Sequence, residues 1–310
     1  MNRHRIPEAR ALLAAAAAVA IVTAALAVSA LAGLASVRDV IVHALLLGAV
    51  VAALLLLRRI PAGPPRTALA AVTAIGSMFF LYGSLGHVAF EAIPWAADPW
   101  LREADRLLGL GVEPALAAAR WVEARPWAVE PLAFFYAAYI PYLYLTIFLG
   151  LVARPAPARQ VFLLAFALLY GAAFLGYLFL PAKGPIVEMA EAFGSPLPRG
   201  TFRDLVVRTI DAMGGPHGAF PSLHVGASVL AMAFDLRHGD RLRGLIYVPL
   251  VALIAVATVA LRYHYAIDLV AGAALALLAL EVAGRWQGIP DAPAPVRRGL
   301  GATTIKGAGV

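Results

Sequence analysis

The sequence predicts an all-α fold: a polytopic integral membrane helical bundle of about eight transmembrane helices. Three observations carry that expectation. The chain of 310 residues is 62% hydrophobic and only 14% charged, whereas soluble domains are nearer a quarter charged. Its apolar residues fall into runs of the length a bilayer requires, roughly 17 to 25 residues. Its arginines gather in alternate gaps between those runs, which is the asymmetry that orients membrane helices.

The runs are 11–34, 40–57, 67–90, 128–152, 160–181, 219–236, 244–261 and 264–284. "RRIPAGPPR", "ARPAPAR" and "RHGDRLR" break the chain after the second, fourth and sixth. The first run, preceded by "MNRHRIPEAR" and followed by "VSALAG", has features of a signal peptide. Its apolar stretch is longer than the usual h-region, so it is read as an uncleaved helix. With the N-terminus cytoplasmic, Arg3, Arg5, Arg10, Arg58, Arg59, Arg66, Arg154, Arg159, Arg237, Arg241, Arg243, Arg285, Arg297, Arg298 and Lys306 all fall inside, while most acids fall outside. The expectation is a multi-pass protein of the plasma (inner) membrane with both termini cytoplasmic. The formal net charge of +7 is then topological and helps attract anionic lipid. No basic run is interleaved with aromatics, so nucleic acid is not an expected partner. The absence of cysteine excludes disulfides, thiolate metal sites and cysteine nucleophiles.

Two polar stretches interrupt this pattern, both at outer ends of runs. They are "GPHGAFPSLHVGASVLAMAF" (215–234) and "LRYHYAIDLVAG" (261–272). Polar groups at membrane depth are expensive and mark function. Pro221 suits a first helical turn, so the amides that follow, with the helix dipole, suit a phosphate. Ser222 adds a hydroxyl donor. His264 and Asp268 are four apart and are read as sharing a helix face. A carboxylate on one imidazole nitrogen fixes the tautomer and leaves the other nitrogen a better nucleophile or base. His224 can protonate a leaving group. The pattern reads as phosphoryl transfer through a phosphohistidine at the outer face.

"GAFPSLHVG" with "HYAIDLVAG" further on resembles the second and third signature motifs of the type-2 phosphatidic acid phosphatase superfamily. The Pro-Ser-Leu-His form is most similar to the branch containing inositol phosphorylceramide synthase. "DPWLREADRLLGLGVEP" (98–114) also resembles a segment ahead of the core in that branch, and the whole resemblance covers 95–285. It implies a six-helix phosphatase-type core and a hydrolase or transferase of lipid metabolism. In it His264 is the nucleophile, Asp268 its orienting partner and His224 the general acid, with no cofactor and no metal. The sequence departs from the pattern in two places. Thr258 stands where the phosphatases have an arginine, and seven residues after Lys183 stands Ala190 rather than Arg-Pro. The expected phosphate-binding groups are therefore Ser222, Arg262 and Lys183, with Arg199 and Arg203 in reserve. The partner is a membrane lipid substrate: a phospholipid, a polyprenyl phosphate or a diphosphate. Hydrolysis and transfer, including inositol-phosphate-type headgroup transfer, stay open. Two rivals are a two-histidine, one-carboxylate metal site and a non-enzymatic lipid transporter, which would need polar residues through mid-membrane.

The domain organisation expected is an N-terminal transmembrane hairpin (1–66), a catalytic core (67–285) and a disordered cytoplasmic tail (286–310). His43 and His87 read as interfacial residues, and His217 as a loop residue or an auxiliary donor. Tyr136, Tyr139, Tyr142 and Tyr144 read as an aromatic belt and packing. The outer loop 182–218 carries apolar residues at 202, 205, 206 and 213, with Thr209 between them, and predicts a short amphipathic helix on the membrane surface. "DPWLREADRLLG" predicts another.

Overall fold

The structure is a computed structural model. It describes residues 6–238 and 240–288, apart from the side chains of 86–91. The stretch 289–310, most of the expected tail, and the side chain of His87 lie outside the described residues. Among the described residues there are twelve α-helices and no strand.

Seven helices are long and apolar enough to cross a membrane, which makes the chain a multi-pass membrane protein. They are α1 (Pro7–Leu31), α2 (Val37–Leu57), α3 (Pro64–Ala92), α6 (Val129–Val152), α7 (Ala156–Phe179), α11 (Arg241–Ala260) and α12 (Ala266–Gln287). The remaining expected span is α10 (Leu223–Arg237), and it is shorter than the sequence implied, at 15 residues. At 1.5 Å per residue it is about 22 Å long, against roughly 30 Å of hydrocarbon. The shortening is at its start, because Pro221 and Ser222 belong to the chain that enters the helix rather than to its first turn.

α10 still runs between the two ends of the bundle. Its entry touches the start of α12, where Ser222 N donates to Asp268 O at 3.0 Å. At its other end Asp235 pairs with Arg154, just beyond α6, and with Arg243 in the first turn of α11. The same far end holds the Arg10–Gln287, Glu8–Thr67 and Arg237–Glu281 contacts. The charge alternation read from the sequence thus corresponds to one physical end of the molecule.

α10 and α12 can approach closely because both carry glycine at the crossing. A Cβ at Gly272 would stand 2.3 Å from Ser222 O, and one at Gly226 would stand 3.1 Å from Gly272 O. Small residues let helix backbones meet in this way. α7 yields similarly: a Cβ at Gly176 would lie 2.6 Å from Pro221 Cδ. The N-terminal α1 packs its Leu12, Ala15, Val19, Val22 and Leu26 face into the same core as α7.

The short helices α4 (Asp98–Leu108), α5 (Pro114–Glu123), α8 (Pro185–Glu188) and α9 (Thr201–Ala212) all gather at the opposite end, the one where α10 begins. α9 is the helix expected in the outer loop, and it docks Val206 against α6. α4 is the second expected amphipathic helix, and its acids lie on the buried side. Its buried face carries Asp98, Leu101 and Asp105, while Trp100, Leu107 and Leu108 are exposed. The acids face protein and the apolar side faces outward, as suits a helix against lipid.

Two other expectations change. His43 is not an interfacial residue. It is 1% exposed, with its ring nitrogens on Asp39 O (2.7 Å) and Ser84 Oγ (3.0 Å), so it ties α2 to α3. The tyrosines do not form the belt. Tyr139 and Tyr142 are buried and bond to the backbone of α10, at Leu223 O and Ser228 O, and only Tyr144 is exposed. Exposed tryptophans take the belt position. Trp95, Trp100, Trp121 and Trp127 stand at the α4–α5 end, and Trp286 at the other. Indole, with an apolar body and one N–H donor, suits a membrane interface.

Candidate active site

The two polar stretches meet at the end of the bundle crowned by the short helices. α11 stops at Ala260, and Tyr263 N and His264 N turn back to donate to Thr258 O at 3.0 and 3.2 Å. Thr258, which occupies the position of the expected arginine, is fully buried. Arg262 takes a left-handed backbone conformation (φ 72°) in this turn. α12 starts only at Ala266, with Tyr265 as its N-cap.

His264 therefore precedes the helix, and its partnership with Asp268 does not come from a shared helix face. Asp268 is the third residue of α12. Its carboxylate reaches back to the cap, where Oδ2 accepts from Tyr265 N at 2.9 Å and lies 3.2 Å from His264 Nδ1. This capping geometry fixes the imidazole with Nε2 as its other face. Both residues are buried, and Asp268 Oδ1 has no hydrogen-bond partner among the described residues.

His224 lies in the first turn of α10, with its ring 5.6 Å from that of His264. Tyr136 and Tyr139 pack against it at 4.5 and 4.3 Å between ring centroids, and Tyr263 packs at a tilt on Tyr136 at 4.9 Å. These tyrosines, read from the sequence as belt and packing, form the wall that holds His224. Ser222 is the N-cap of α10, with Oγ accepting from Val225 N at 3.5 Å. That bond uses the oxygen and leaves the hydroxyl proton free to donate.

The expected cations are placed differently from one another. Lys183 is exposed, in the irregular segment between α7 and α8 that lies against the turn before α12. There Ile186 N donates to Arg262 O (2.6 Å) and Ala219 N to Ala182 O (3.2 Å). Gly184 is required at the closest point of this contact. Its φ is +83°, and a Cβ would stand 2.4 Å from Tyr263 O. Arg262 is buried and engaged. Its guanidinium donates to Glu123 Oε1 and Ser195 O, each at 2.9 Å, and lies over Phe193 at 4.2 Å. Burial works against its charge and Glu123 supports it. Arg199 and Arg203 both pair with Asp204 in the first turn of α9. His217 Nδ1 meets Gly215 O at 2.7 Å, and its ring stands 5.8 Å from Tyr82.

A set of carboxylates that the sequence reading did not single out fastens this end together. Asp98 Oδ2 accepts from Lys183 N (2.9 Å), and its Oδ1 from Gly184 N (2.7 Å) and Tyr265 OH (3.3 Å). Asp105 accepts from Ile267 N at 2.9 Å. Glu123 accepts from Gly194 N and Ser195 N as well as from Arg262, and Glu130 from Phe202 N and Arg203 N. Burial pushes the Asp98 and Asp105 carboxyls up from the ordinary carboxylate range, and the amide bonds oppose it. The available signal was the spacing 98, 101, 105, which puts both acids and Leu101 on one face of α4.

This arrangement defines a class first: a multi-pass helical membrane protein with a His–Asp pair and a second histidine enclosed at one end of the bundle. The family follows from comparison. Residues 99–282 match the PAP2 superfamily, and the chain belongs to it. Membership points to a phosphatase-type enzyme with a phosphate-ester substrate, consistent with a lipid phosphatase. No curated protein and no solved structure matches the chain.

Proposed function

We propose that the chain is a membrane-embedded lipid phosphatase or phosphotransferase that works through a phosphohistidine at His264, at the outer membrane face. The observation that carries this is the His264 Nδ1 to Asp268 Oδ2 contact at 3.2 Å, with the His224 ring 5.6 Å away. Asp268 holds the imidazole in one tautomer and stabilises its positive charge, so Nε2 attacks phosphorus. The phosphorus–oxygen bond to the lipid alcohol breaks, and His224 gives its proton to the departing oxygen. In the second half, His224 takes a proton from water or an alcohol as that oxygen attacks phosphorus. The phosphorus–nitrogen bond breaks and His264 is regenerated.

Fixed donors stabilise the equatorial oxygens. Lys183 and the Ser222 hydroxyl are the donors assigned to this role. Arg262 joins them by exchanging Glu123 for the substrate phosphate. Orientation follows the arginines: the far end, which carries Arg10, Arg154, Arg237 and Arg243, is cytoplasmic with both termini, and the histidine end faces out. Transfer of an inositol-phosphate-type headgroup, rather than hydrolysis, is the finer reading. It rests on the sequence Pro221-Ser222-Leu223-His224 and on the buried setting of His264, which disfavours free access of water to the intermediate. The test is purified protein incubated with a lipid extract and scored for inorganic phosphate against new phosphodiester. Neither product appearing would overturn the proposal.

A further inference from the structure

Asp268 has two tasks in this site. Its Oδ2 serves both the Tyr265 amide and the His264 ring, so any further amide of α12 that turned to this carboxylate would draw it away from that arrangement. The first amides of a helix have no partner within the helix. Here Asp105, reaching across from α4, accepts from Ile267 N at 2.9 Å, and the amide of Ala266 is directed at it as well. Without Asp105 those donors would compete for the Asp268 carboxylate, whose Oδ1 is buried and without a partner. Two turns earlier on α4, Asp98 binds the amides of Lys183 and Gly184 and the phenol of Tyr265, the cap of α12. Both aspartates are at least 98% buried. Burying a carboxylate is costly, and on a short helix at the membrane interface an outward orientation was available.

We propose that α4 is the positioning element of the phosphoryl-transfer site. Asp105 keeps Asp268 on His264, and Asp98 holds the Lys183 segment in register with that pair. The proposal rests on the phosphohistidine reading above. Both aspartates act through other residues, so they are positioning residues.

The test uses the full chain in phosphatidylcholine vesicles with phosphatidic acid as phosphate donor. Orthovanadate, which takes the five-coordinate geometry of in-line transfer, probes alignment of the nucleophile, and inorganic phosphate probes the cations alone. Asp105→Ala is expected to lower kcat and weaken vanadate binding at least about tenfold each, with KM and phosphate binding within about twofold. Asp105→Asn, which keeps one oxygen for Ile267 N–H, is expected to recover most of both losses. Asp98→Ala is expected to weaken phosphate and vanadate together. Combined with Lys183→Ala, it should lose no more than the larger single effect, because groups acting as a unit are not additive. If Asp105→Ala fails to fold, Tyr265→Phe carries the test. It removes one bond to Asp98, and kcat/KM should fall about threefold or more.

Parent-like kcat and vanadate affinity in a folded Asp105→Ala, or an unchanged kcat/KM in Tyr265→Phe, would overturn the positioning role and leave the phosphohistidine reading intact. A parent chain that neither binds vanadate nor releases phosphate overturns both.

Discussion

The two ends of this bundle bury carboxylates in opposite ways. At the end where α10 finishes, Asp235 sits between the guanidinium groups of Arg154 and Arg243, with Asp240 beside them. At the histidine end, Asp98, Asp105, Glu123 and Glu130 accept mainly from backbone N–H groups of the loops and helix starts that surround His224 and His264. An ion pair between helix ends ties elements together but leaves the exact path of a loop unspecified. A carboxylate that receives two neighbouring amides specifies that path, because backbone donors cannot swing as a long side chain can. One end is built to hold and the other to place.

The sharpest way to test that contrast is to remove groups from each end and compare activity with melting. His264→Ala should reduce turnover to background with a smaller fall in Tm than Asp235→Ala gives, because Tyr265 N–H still holds the Asp268 carboxylate. His224→Ala should cost about 10²–10⁴-fold in rate, with partial rescue by a good leaving group. Rates near the parent's in His264→Ala would mean that the nucleophile lies elsewhere. Asp235→Ala should show the reverse. It removes the close partner of two largely buried guanidinium groups and leaves them only the longer contacts to Asp240, at a cost of up to about 3–5 kcal/mol, read as a large fall in Tm, with kcat retained by the protein that stays folded. If kcat collapses while Tm holds, the far end is part of the site after all.

Gly272→Ala is intermediate. The new methyl would stand 2.3 Å from Ser222 O, and overpacking costs about 1–3 kcal/mol. It also pushes the His224 helix from the Asp268 helix, so activity should fall by more than stability alone explains. A parent-like kcat/KM would show that the separation of the two histidines tolerates such a shift. Arg120→Ala, at an exposed position of α5, should change stability by less than about 0.5 kcal/mol and leave activity alone, which a parallel assay and melt would check.

Much of the architecture was written locally. Long apolar runs, their breakers and the alternation of arginine determine a multi-pass bundle, because each span must bury its own backbone polar groups and each loop carries its own charge. His224, His264 and Asp268 stood out for a related reason: three polar groups gathered at the ends of apolar runs are costly together at membrane depth. The amphipathic character of α9 was also visible, since its apolar spacing follows one face.

What the sequence could not settle depended on partners distant in the chain. The spacing of His264 and Asp268 looked like a helix face, yet the contact is a cap, because α12 begins after His264. Tyr136 and Tyr139 looked like belt and packing residues, and only setting α6 against α10 shows that they pack on His224. Arg262 looked like a free cation, and the fold gives it Glu123, 139 positions away. Asp98 and Asp105 looked like the solvated side of a surface helix. Their partners at Lys183, Gly184 and Ile267 are 85, 86 and 162 positions away, so the spacing 98, 101, 105 marks a shared face but not what that face meets. Hydropathy and periodicity report whether a side chain needs burial. Which donor a buried carboxylate meets is decided only when the helices carrying the two are packed together.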